Sequence, residues 1–271
     1  YQRRVRGIMA SRYDSRTTVF TDEGRLLQVE YAMKAVSQAP PVLGIVAKDA
    51  IVIAAHKKIP KLFEQERSGK IQLIDKHICA AVCGIISDSN QLVDQARYHC
   101  QEYLQVYDEP IGVEKLVYQI ADTKHEMTQY GGLRPYGVSM LIAGYDSGYK
   151  LFMTDPSGNF SQWSATSIGK ASADINSRLK TFIRNLNAEV SLKDAKEFAI
   201  RSLAKAVDKI DYNADNIEVV VVKFVEGRAQ IEYLEAAEIN QWCDVIKLEG
   251  DDAFGQSDEE NDESQSGDDD E

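Results

Sequence analysis

Cysteine and histidine side chains are the first candidates for a chemical site in this sequence. Cys79 and Cys83 lie four residues apart in an apolar segment, and a zinc site built on them would also need His77 or His99. No CxxC spacing occurs, and on a strand the two cysteines would share one face as small hydrophobic side chains. The pattern therefore favours two core thiols over metal ligands. The chain has only four cysteines, which is no disulfide framework and is typical of a reducing compartment.

Hydroxyl and carboxylate side chains do not form a recognisable catalytic set. Ser139 and Ser157 have no obvious His and Asp partners in the sequence. The aspartates that flank predicted elements are assigned to caps and turns, namely Asp88, Asp122, Asp146 and Asp155. These residues alone predict no hydrolytic mechanism.

The charge of the chain is concentrated at its ends. The net charge is −12, but twelve of the 43 acidic residues lie in 249–271, where there is no Lys or Arg. The remaining 31 acidic residues balance the 31 Lys and Arg. A neutral body gives no electrostatic reason to expect nucleic-acid binding, although residues 1–12 form an arginine-rich arm. No apolar stretch reaches the roughly 18–20 residues of a membrane-spanning helix.

Hydrophobic patterning predicts strand groups that alternate with pairs of helices. A helix over 25–38 carries an apolar stripe of Leu26, Val29, Met33 and Val36. The predicted elements after it are strands over 42–47, 50–56, 71–75 and 78–84, helices from about 88 and 110, strands over 138–143, 151–154 and 165–168, two helices, strands over 217–224 and 229–234, and a last helix. This order indicates an α+β domain in which helices cover the outer faces of stacked sheets.

Two helix starts are predicted from single residues. Pro110 suits the first turn of the helix that follows it. Ser191, with Asp194 three residues later, is expected to cap a later helix.

Long motifs in the body resemble the proteasome α-type subunit family. Residues 12–20 read RYDSRTTVF and residues 23–32 read EGRLLQVEYA, which is similar to the N-terminal signature of that family. The other matching segments are KIQLID at 70–75, YGGLRPYGVS at 130–139, DPSG at 155–158 and ATSIG at 165–169. The resemblance covers the chain from about 13 to 246.

The resemblance implies a fold and a domain organisation. The family fold is a four-layer αββα sandwich of the N-terminal nucleophile hydrolase type, preceded by an N-terminal α-subunit helix. The expected division is a flexible basic arm at 1–12, the α-type domain at 13–248 and a disordered acidic tail at 249–271. The family forms seven-membered hetero-rings of different α subunits, stacked on β-ring subunits in the 20S core particle.

The resemblance also argues against catalysis by this chain. Related β subunits use an N-terminal threonine, whose own amine serves as the base, together with a carboxylate and a lysine. Alignment on the first strand brings Pro40 to the place of the nucleophile and His56 near the place of the carboxylate, and only Lys70 is retained. We therefore expect a non-catalytic subunit without a cofactor or a metal. The alternatives are a threonine hydrolase that would require processing, although the chain has no Gly-Thr junction, and a nucleic-acid-binding module acting through the arginine-rich arm.

Family roles are expected at five residues of the N-terminal half. The resemblance assigns gate contacts to Tyr13, Asp14 and Tyr31, and an activator pocket between adjacent α subunits to Lys70 and Glu30. In that pocket the lysine would pair with the C-terminal carboxylate of a regulatory-particle ATPase tail or another activator. Where the family usually has a proline, residue 22 is an aspartate.

Structural roles, tail modification and location complete the expectations. Gly24 ends an irregular stretch and is expected to have a structural role. Arg134 is expected to support packing at the loop before a strand, and Pro135 and Gly137 are expected to shape that loop. Ser257 and Ser266 precede acidic residues and are predicted phosphorylation sites for acid-directed kinases. The family resemblance implies a cytoplasmic and nuclear protein that supports ubiquitin-dependent degradation, with no membrane partner.

Overall fold

A computed structural model describes residues 19–58, 69–130, 132–186, 189–206 and 213–249. Within these ranges the helices are α1 (Leu27–Gln38), α2 (Ile86–Tyr107), α3 (Val113–Gln129), α4 (Ser172–Asn185), α5 (Leu192–Ala206) and α6 (Ala236–Glu249). The strands are β1 (Val42–Val46), β2 (Ala50–His56), β3 (Ile71–Asp75), β4 (Ile78–Gly84), β5 (Val138–Tyr145), β6 (Tyr149–Thr154), β7 (Phe160–Gln162), β8 (Ala165–Ile168), β9 (Ile217–Val225) and β10 (Arg228–Tyr233). No helix in these ranges is both long and apolar enough to span a membrane.

Within the described ranges, ten strands form two antiparallel sheets of five strands each. Their orders are β10-β9-β2-β1-β8 and β3-β4-β5-β6-β7. Strands β2 and β4 lie inside their sheets, and their buried apolar residues alternate between the two sheet faces. Ile51 and Ile53 of β2 point toward the second sheet, whereas Val52 packs under the helices. Both faces of each sheet are therefore covered.

In the part of the chain that the structure describes, three hydrophobic clusters define four layers. One cluster joins the first sheet to α4, α5 and α6, and another joins the second sheet to α2 and α3. The third lies between the sheets. This arrangement confirms the predicted αββα sandwich. Cys79 and Cys83 share the inner face of β4, as their spacing predicts.

Several local predictions differ from the structure. The buried stripe of α1 is Val29, Ala32 and Val36, while Met33 is exposed, because the helix face is set by its contacts with β4 and β5. Pro110 precedes α3, which begins at Val113, so its predicted place in the first turn is wrong. The three-residue strand β7 was not predicted.

The start of α5 agrees with its predicted cap. Ser191 Oγ accepts a hydrogen bond from Asp194 N at 3.2 Å and donates to Asp194 Oδ2 at 2.6 Å. This N-terminal cap fixes where the helix leaves the preceding loop.

Candidate functional site: the Lys70 cluster and the segments around it

A tight turn leads from the N-terminal segment into α1. Gly24 N donates to Thr21 O at 2.8 Å, and Thr21 N donates to Arg25 O at 2.9 Å. Thr21 Oγ1 accepts from Arg25 N at 3.1 Å. Gly24 has a φ of 75°, a left-handed value that favours glycine. Asp22 lies exposed at the second position of this turn, so hydrogen bonds hold the turn without the family's proline.

Glu30 on α1 is paired with Arg25, which directly follows the turn. Arg25 Nε donates to Glu30 Oε1 at 2.6 Å, and Arg25 Nη2 contacts Glu30 Oε2. This hydrogen-bonded pair lowers the pKa of Glu30 and raises the pKa of Arg25. Both side chains are substantially exposed, so the pair positions the start of α1 more than it stabilises the fold.

Of the three predicted gate residues, the structure describes Tyr31. Tyr31 lies on α1 with 46% of its surface exposed, so its ring is available to another chain. Tyr13 and Asp14 lie outside the described residues, as do Ser257 and Ser266. The gate contacts and the tail phosphorylation sites stay predictions.

Lys70 is buried at the inner edge of the sandwich. It directly precedes β3, is 7% exposed and donates from Nζ to Pro40 O at 2.5 Å. Desolvation lowers its pKa to about 8, and Cys83 and Glu218 partly oppose this. Cys83 Sγ also donates to Pro40 O, at 3.4 Å. The amine is therefore a partly desolvated cation that rests on the main chain before β1.

His56 completes the group of positions that a threonine hydrolase would use. It ends β2, and its main-chain N donates to Pro41 O at 2.9 Å. Desolvation, followed by the charges of Lys70 and Lys58, lowers the pKa of His56 to about 4. The structure thus brings Pro40, His56 and Lys70 together, with a neutral imidazole near the place of the carboxylate. We call these three residues and Cys83 the Lys70 cluster.

The chemistry of this group follows from the atoms present. Pro40 has no hydroxyl, and its nitrogen is within a chain that continues back through α1. A neutral His56 offers no negative charge in place of the carboxylate, and Lys70 is already engaged by a carbonyl oxygen. The arrangement binds and positions main chain, and it lacks the nucleophile of a threonine hydrolase.

The loop before β5 is held by an aspartate that sequence reasoning assigned to a cap. Arg134 Nη1 and Nη2 donate to Asp88 Oδ2 and Oδ1 at 2.6 and 2.7 Å, and Gly137 N donates to Asp88 Oδ2 at 3.0 Å. Arg134 also donates to Pro135 O at 3.1 Å. These hydrogen bonds lower the pKa of Asp88. The structure therefore places Arg134 and Gly137 on one buried carboxylate, and Pro135 O accepts from the same arginine.

A second buried lysine was not predicted from the sequence. Lys124 on α3 is fully buried, and its Nζ donates to Val138 O at 3.0 Å, Thr154 Oγ1 at 3.3 Å and Thr154 O at 3.4 Å. Burial lowers its pKa to about 7. The available signal was its spacing, four residues after Ile120 on the inner face of α3.

Metal ligation has no support in the described ranges, where no group of three or more His, Cys, Asp or Glu side chains converges. Cys79 and Cys83 are buried, and burial raises the pKa of each thiol, to about 12 and about 11. Both cysteines act as core side chains.

Comparisons with known proteins identify the family. A family model described as proteasome subunit matches residues 36–222, and a second, which describes the N-terminal signature of the α-type proteasome subunits, matches residues 13–35. The alpha type-4 proteasome subunit of Dictyostelium discoideum is 48% identical over 216 residues, covering 78% of this chain and 85% of that protein. The alpha type-4-1 subunit of Oryza sativa subsp. indica is 44% identical over 229 residues, covering 83% and 90%.

A third relative agrees with the first two. The alpha type-4 subunit of Spinacia oleracea is 44% identical over 218 residues, covering 79% of this chain and 86% of its own length. The segment YDSRTT at 13–18 also resembles the alpha type-4 subunits. The predicted resemblance is confirmed, and the chain belongs to the α-type branch of the proteasome subunit family.

Proposed function

We propose that this chain is a non-catalytic structural subunit of the outer α ring of the 20S proteasome. The observation that carries this is the Lys70 cluster, in which Pro40 takes the place of the nucleophile and its carbonyl accepts the lysine amine. The α1 helix precedes Pro40, so no free amine is available there as a base. The chain would assemble with other α subunits and with β-ring subunits, and it would need no cofactor.

The proposed contribution to substrate access lies in the N-terminal segment. Tyr13 and Asp14 would contact neighbouring arms across the ring axis, and Tyr31 would hold the arm by stacking or hydrogen bonding. The exposure of Tyr31 and the hydrogen-bonded turn that ends at Gly24 support this arrangement. Because Asp22 replaces the stiffening proline, the turn relies on Thr21 to keep its shape.

The proposed contribution to activator docking centres on Lys70. With a pKa of about 8 the amine is mostly protonated at neutral pH, so it can pair with a carboxylate. A docking carboxylate would replace or join Pro40 O as the acceptor of the amine's hydrogen bonds. Glu30 is the second residue that the family resemblance assigns to this pocket. The pocket itself would require the adjacent α subunit.

A labelling experiment tests the absence of catalysis. A covalent inhibitor directed at N-terminal threonines is added to particles purified through a tag on this chain, and each component is then analysed by mass spectrometry. The proposal expects adducts on β subunits and none on this chain. An adduct on this chain, at any residue that has become a new N-terminus, would contradict it.

A substitution pair tests docking. Lys70→Met should abolish the preference of this subunit for a peptide with a free C-terminal carboxylate over the same peptide amidated. Lys34→Met, an exposed lysine on α1, serves as the matched control and should leave that preference intact. Equal behaviour of both variants would overturn the role of Lys70.

Two further parts of the proposal concern the tail and the location of the particle. Phosphate on Ser257 or Ser266 would add charge to an acidic segment that already repels itself. Intact-mass analysis of the chain from cellular particles should show that phosphate, and its absence at both serines would refute the idea. The particle would work in the cytoplasm and nucleus in ubiquitin-dependent degradation, which fluorescence imaging of a tagged chain would check.

A further inference from the structure

The start of α2 and the loop before β5 are joined by a dense set of hydrogen bonds. The carboxylate of Asp88 accepts hydrogen bonds from both terminal nitrogens of Arg134 and from the main-chain N–H of Gly137. In return, Ile85 N donates to Gly137 O at 3.0 Å. We call the segments 84–88 and 134–137 with these bonds the clasp.

The two segments of the clasp are closely packed against each other. A Cβ on Gly84 would lie 2.0 Å from Gly137 O, and a Cβ on Gly137 would lie 2.7 Å from Ile85 Cδ1. Gly84 has a φ of 128°, so the main chain adopts a conformation that few other residues allow. The two segments are therefore in direct van der Waals contact, and the carboxylate of Asp88 joins them by its hydrogen bonds to Arg134 and Gly137.

The clasp is the direct continuation of the Lys70 cluster. Val82 N donates to Lys70 O at 2.8 Å, and Cys83 shares the Pro40 carbonyl with Lys70. The first residue of the clasp is the next one along β4. Any shift of the clasp along the strand axis therefore moves the residues that pack around the Lys70 amine.

The clasp also holds apolar side chains in solvent. Ile85 and Ile86 are 40% and 55% exposed, although both are branched aliphatic residues next to a well-packed core. The bond from Ile85 N to Gly137 O and the close contact with Gly137 prevent this segment from folding inward. Exposed apolar side chains thus lie at the start of α2, directly after the strand that carries Cys83 beside the buried Lys70 cation.

We propose that Asp88, acting through Arg134 and Gly137, is a positioning residue that fixes the shape of the Lys70 docking site. This inference rests on the proposed docking function of Lys70. Asp88 does not touch the docked carboxylate; it holds the clasp, whose neighbours on β4, Val82 and Cys83, contact Lys70 and Pro40.

The chemistry requires an ionised carboxylate at position 88. Three N–H groups converge on its two oxygens, and an asparagine would offer one acceptor oxygen and a competing amide donor. Asp88→Asn should therefore lose one arm of the bidentate pair and loosen the clasp. Asp94→Asn is the matched control, because Asp94 is on the same helix, is 74% exposed and pairs at the surface with Arg97 at 3.2 Å.

The test measures binding at this one chain within the assembled particle. A short synthetic peptide that carries a photoreactive group and a free C-terminal carboxylate is titrated, and crosslinking to this chain is quantified. Crosslinking to the other α subunits is the internal standard, and the amidated peptide is the specificity control. Asp88→Asn should raise the half-saturating concentration at this chain about tenfold, the scale of losing one hydrogen bond to a charged group, with unchanged maximal labelling.

A second variant guards against a failure of Asp88→Asn to assemble. Arg134→Lys keeps the positive charge but removes the bidentate fork, and the Arg134 side chain is 61% exposed, so the fold tolerates the change. It should raise the half-saturating concentration in the same direction, and combining it with Asp88→Asn should add little, since both break one unit.

Two outcomes distinguish a failure of the Asp88 positioning role from a failure of the Lys70 docking function. Unchanged half-saturation in both Asp88→Asn and Arg134→Lys, while Lys70→Met abolishes carboxylate preference, would overturn the role of Asp88 and leave the docking function standing. If the unmodified particle labels equally with carboxylate and amidated peptides at this chain, the docking function itself fails and with it the role of Asp88.

Discussion

The buried amine of Lys124 should make the stability of this fold depend on pH. Burial lowers the pKa of Lys124 from 10.5 to about 7, with the charge of Asp155 partly opposing this. In the unfolded chain the amine keeps its proton up to its ordinary pKa. Between these two pKa values the unfolded state binds more protons than the folded state, so the free energy of unfolding rises with pH.

The size of this effect follows from the two pKa values. The destabilisation is fully present below pH 7 and corresponds to about 5 kcal/mol, at ~1.36 kcal/mol per pH unit. It fades as pH rises toward 10.5. Between pH 7 and pH 9 the linkage relation gives a gain of about 2 kcal/mol in the free energy of unfolding.

Lys124→Met isolates this contribution. Methionine keeps an unbranched chain of similar length but carries no proton, so the contribution of residue 124 should become independent of pH. At pH 7 the variant removes the cost of burying the amine, but it also leaves Val138 O and the Thr154 oxygens without the amine, at about 1–3 kcal/mol for each unsatisfied group. Because these two effects oppose each other, the variant and the unmodified chain should have similar free energies of unfolding at pH 7. The slope is therefore the informative quantity, measured by urea unfolding with tryptophan fluorescence at pH 7, 8 and 9.

Both the control and the contradicting result are read from the change in the free energy of unfolding with pH. Lys115→Met, an exposed lysine on the same helix, should parallel the unmodified chain. Lys70, with a pKa of about 8, titrates in the same pH range. It is present in the unmodified chain and in both variants, so its contribution to the slope is the same in all three. Equal slopes for the unmodified chain and Lys124→Met between pH 7 and pH 9 would show that Lys124 keeps its proton on folding and would refute the reasoning.

Three further substitutions have definite expected outcomes. Gly84→Ala should lower the free energy of unfolding by more than about 3 kcal/mol, because the new Cβ would lie 2.0 Å from a carbonyl oxygen and the residue has a left-handed φ. Gly148→Ala is the control and should cost under about 1 kcal/mol, because its Cβ would have no neighbour within 4 Å. Urea unfolding of the two variants measures the difference. Pro40→Thr should produce no peptidase activity, since the new hydroxyl has no adjacent free amine, and hydrolysis of a fluorogenic peptide above that of the unmodified chain would contradict this. Gly24→Ala should destabilise the chain by about 1 kcal/mol through its φ of 75° alone, and a loss near zero in urea unfolding would show that the turn relaxes.

The sheets were predictable because their signals are local. In β2 and β4 nearly every residue is apolar and buried, so both faces had to be covered, and a layered sandwich follows from that pattern. The shared face of Cys79 and Cys83 follows from the two-residue period of a strand. The error in the predicted stripe of α1 has a physical reason, because Ala32 and Met33 are adjacent and only tertiary contacts decide which one faces β4.

The candidate site was harder to predict because its bonds join distant parts of the chain. Arg134 lies 46 residues from Asp88, and Lys124 reaches Thr154 across 30 residues. A lysine or an aspartate in such a position looks like a surface residue until its partners are known. The family motifs located Lys70 and the loop at 134–137, but only the structure shows that Lys70 is buried on Pro40 O and that Asp88 organises the loop.

The central claim is that this chain builds a ring and does not catalyse. The most direct test isolates complexes through a tag on this chain, separates them by size-exclusion chromatography and identifies their components by mass spectrometry. We expect one large particle that contains other α subunits and β subunits, and removal of the residues before Tyr13 should then raise its basal peptide hydrolysis. A chain that elutes by itself, without β subunits, would contradict the account.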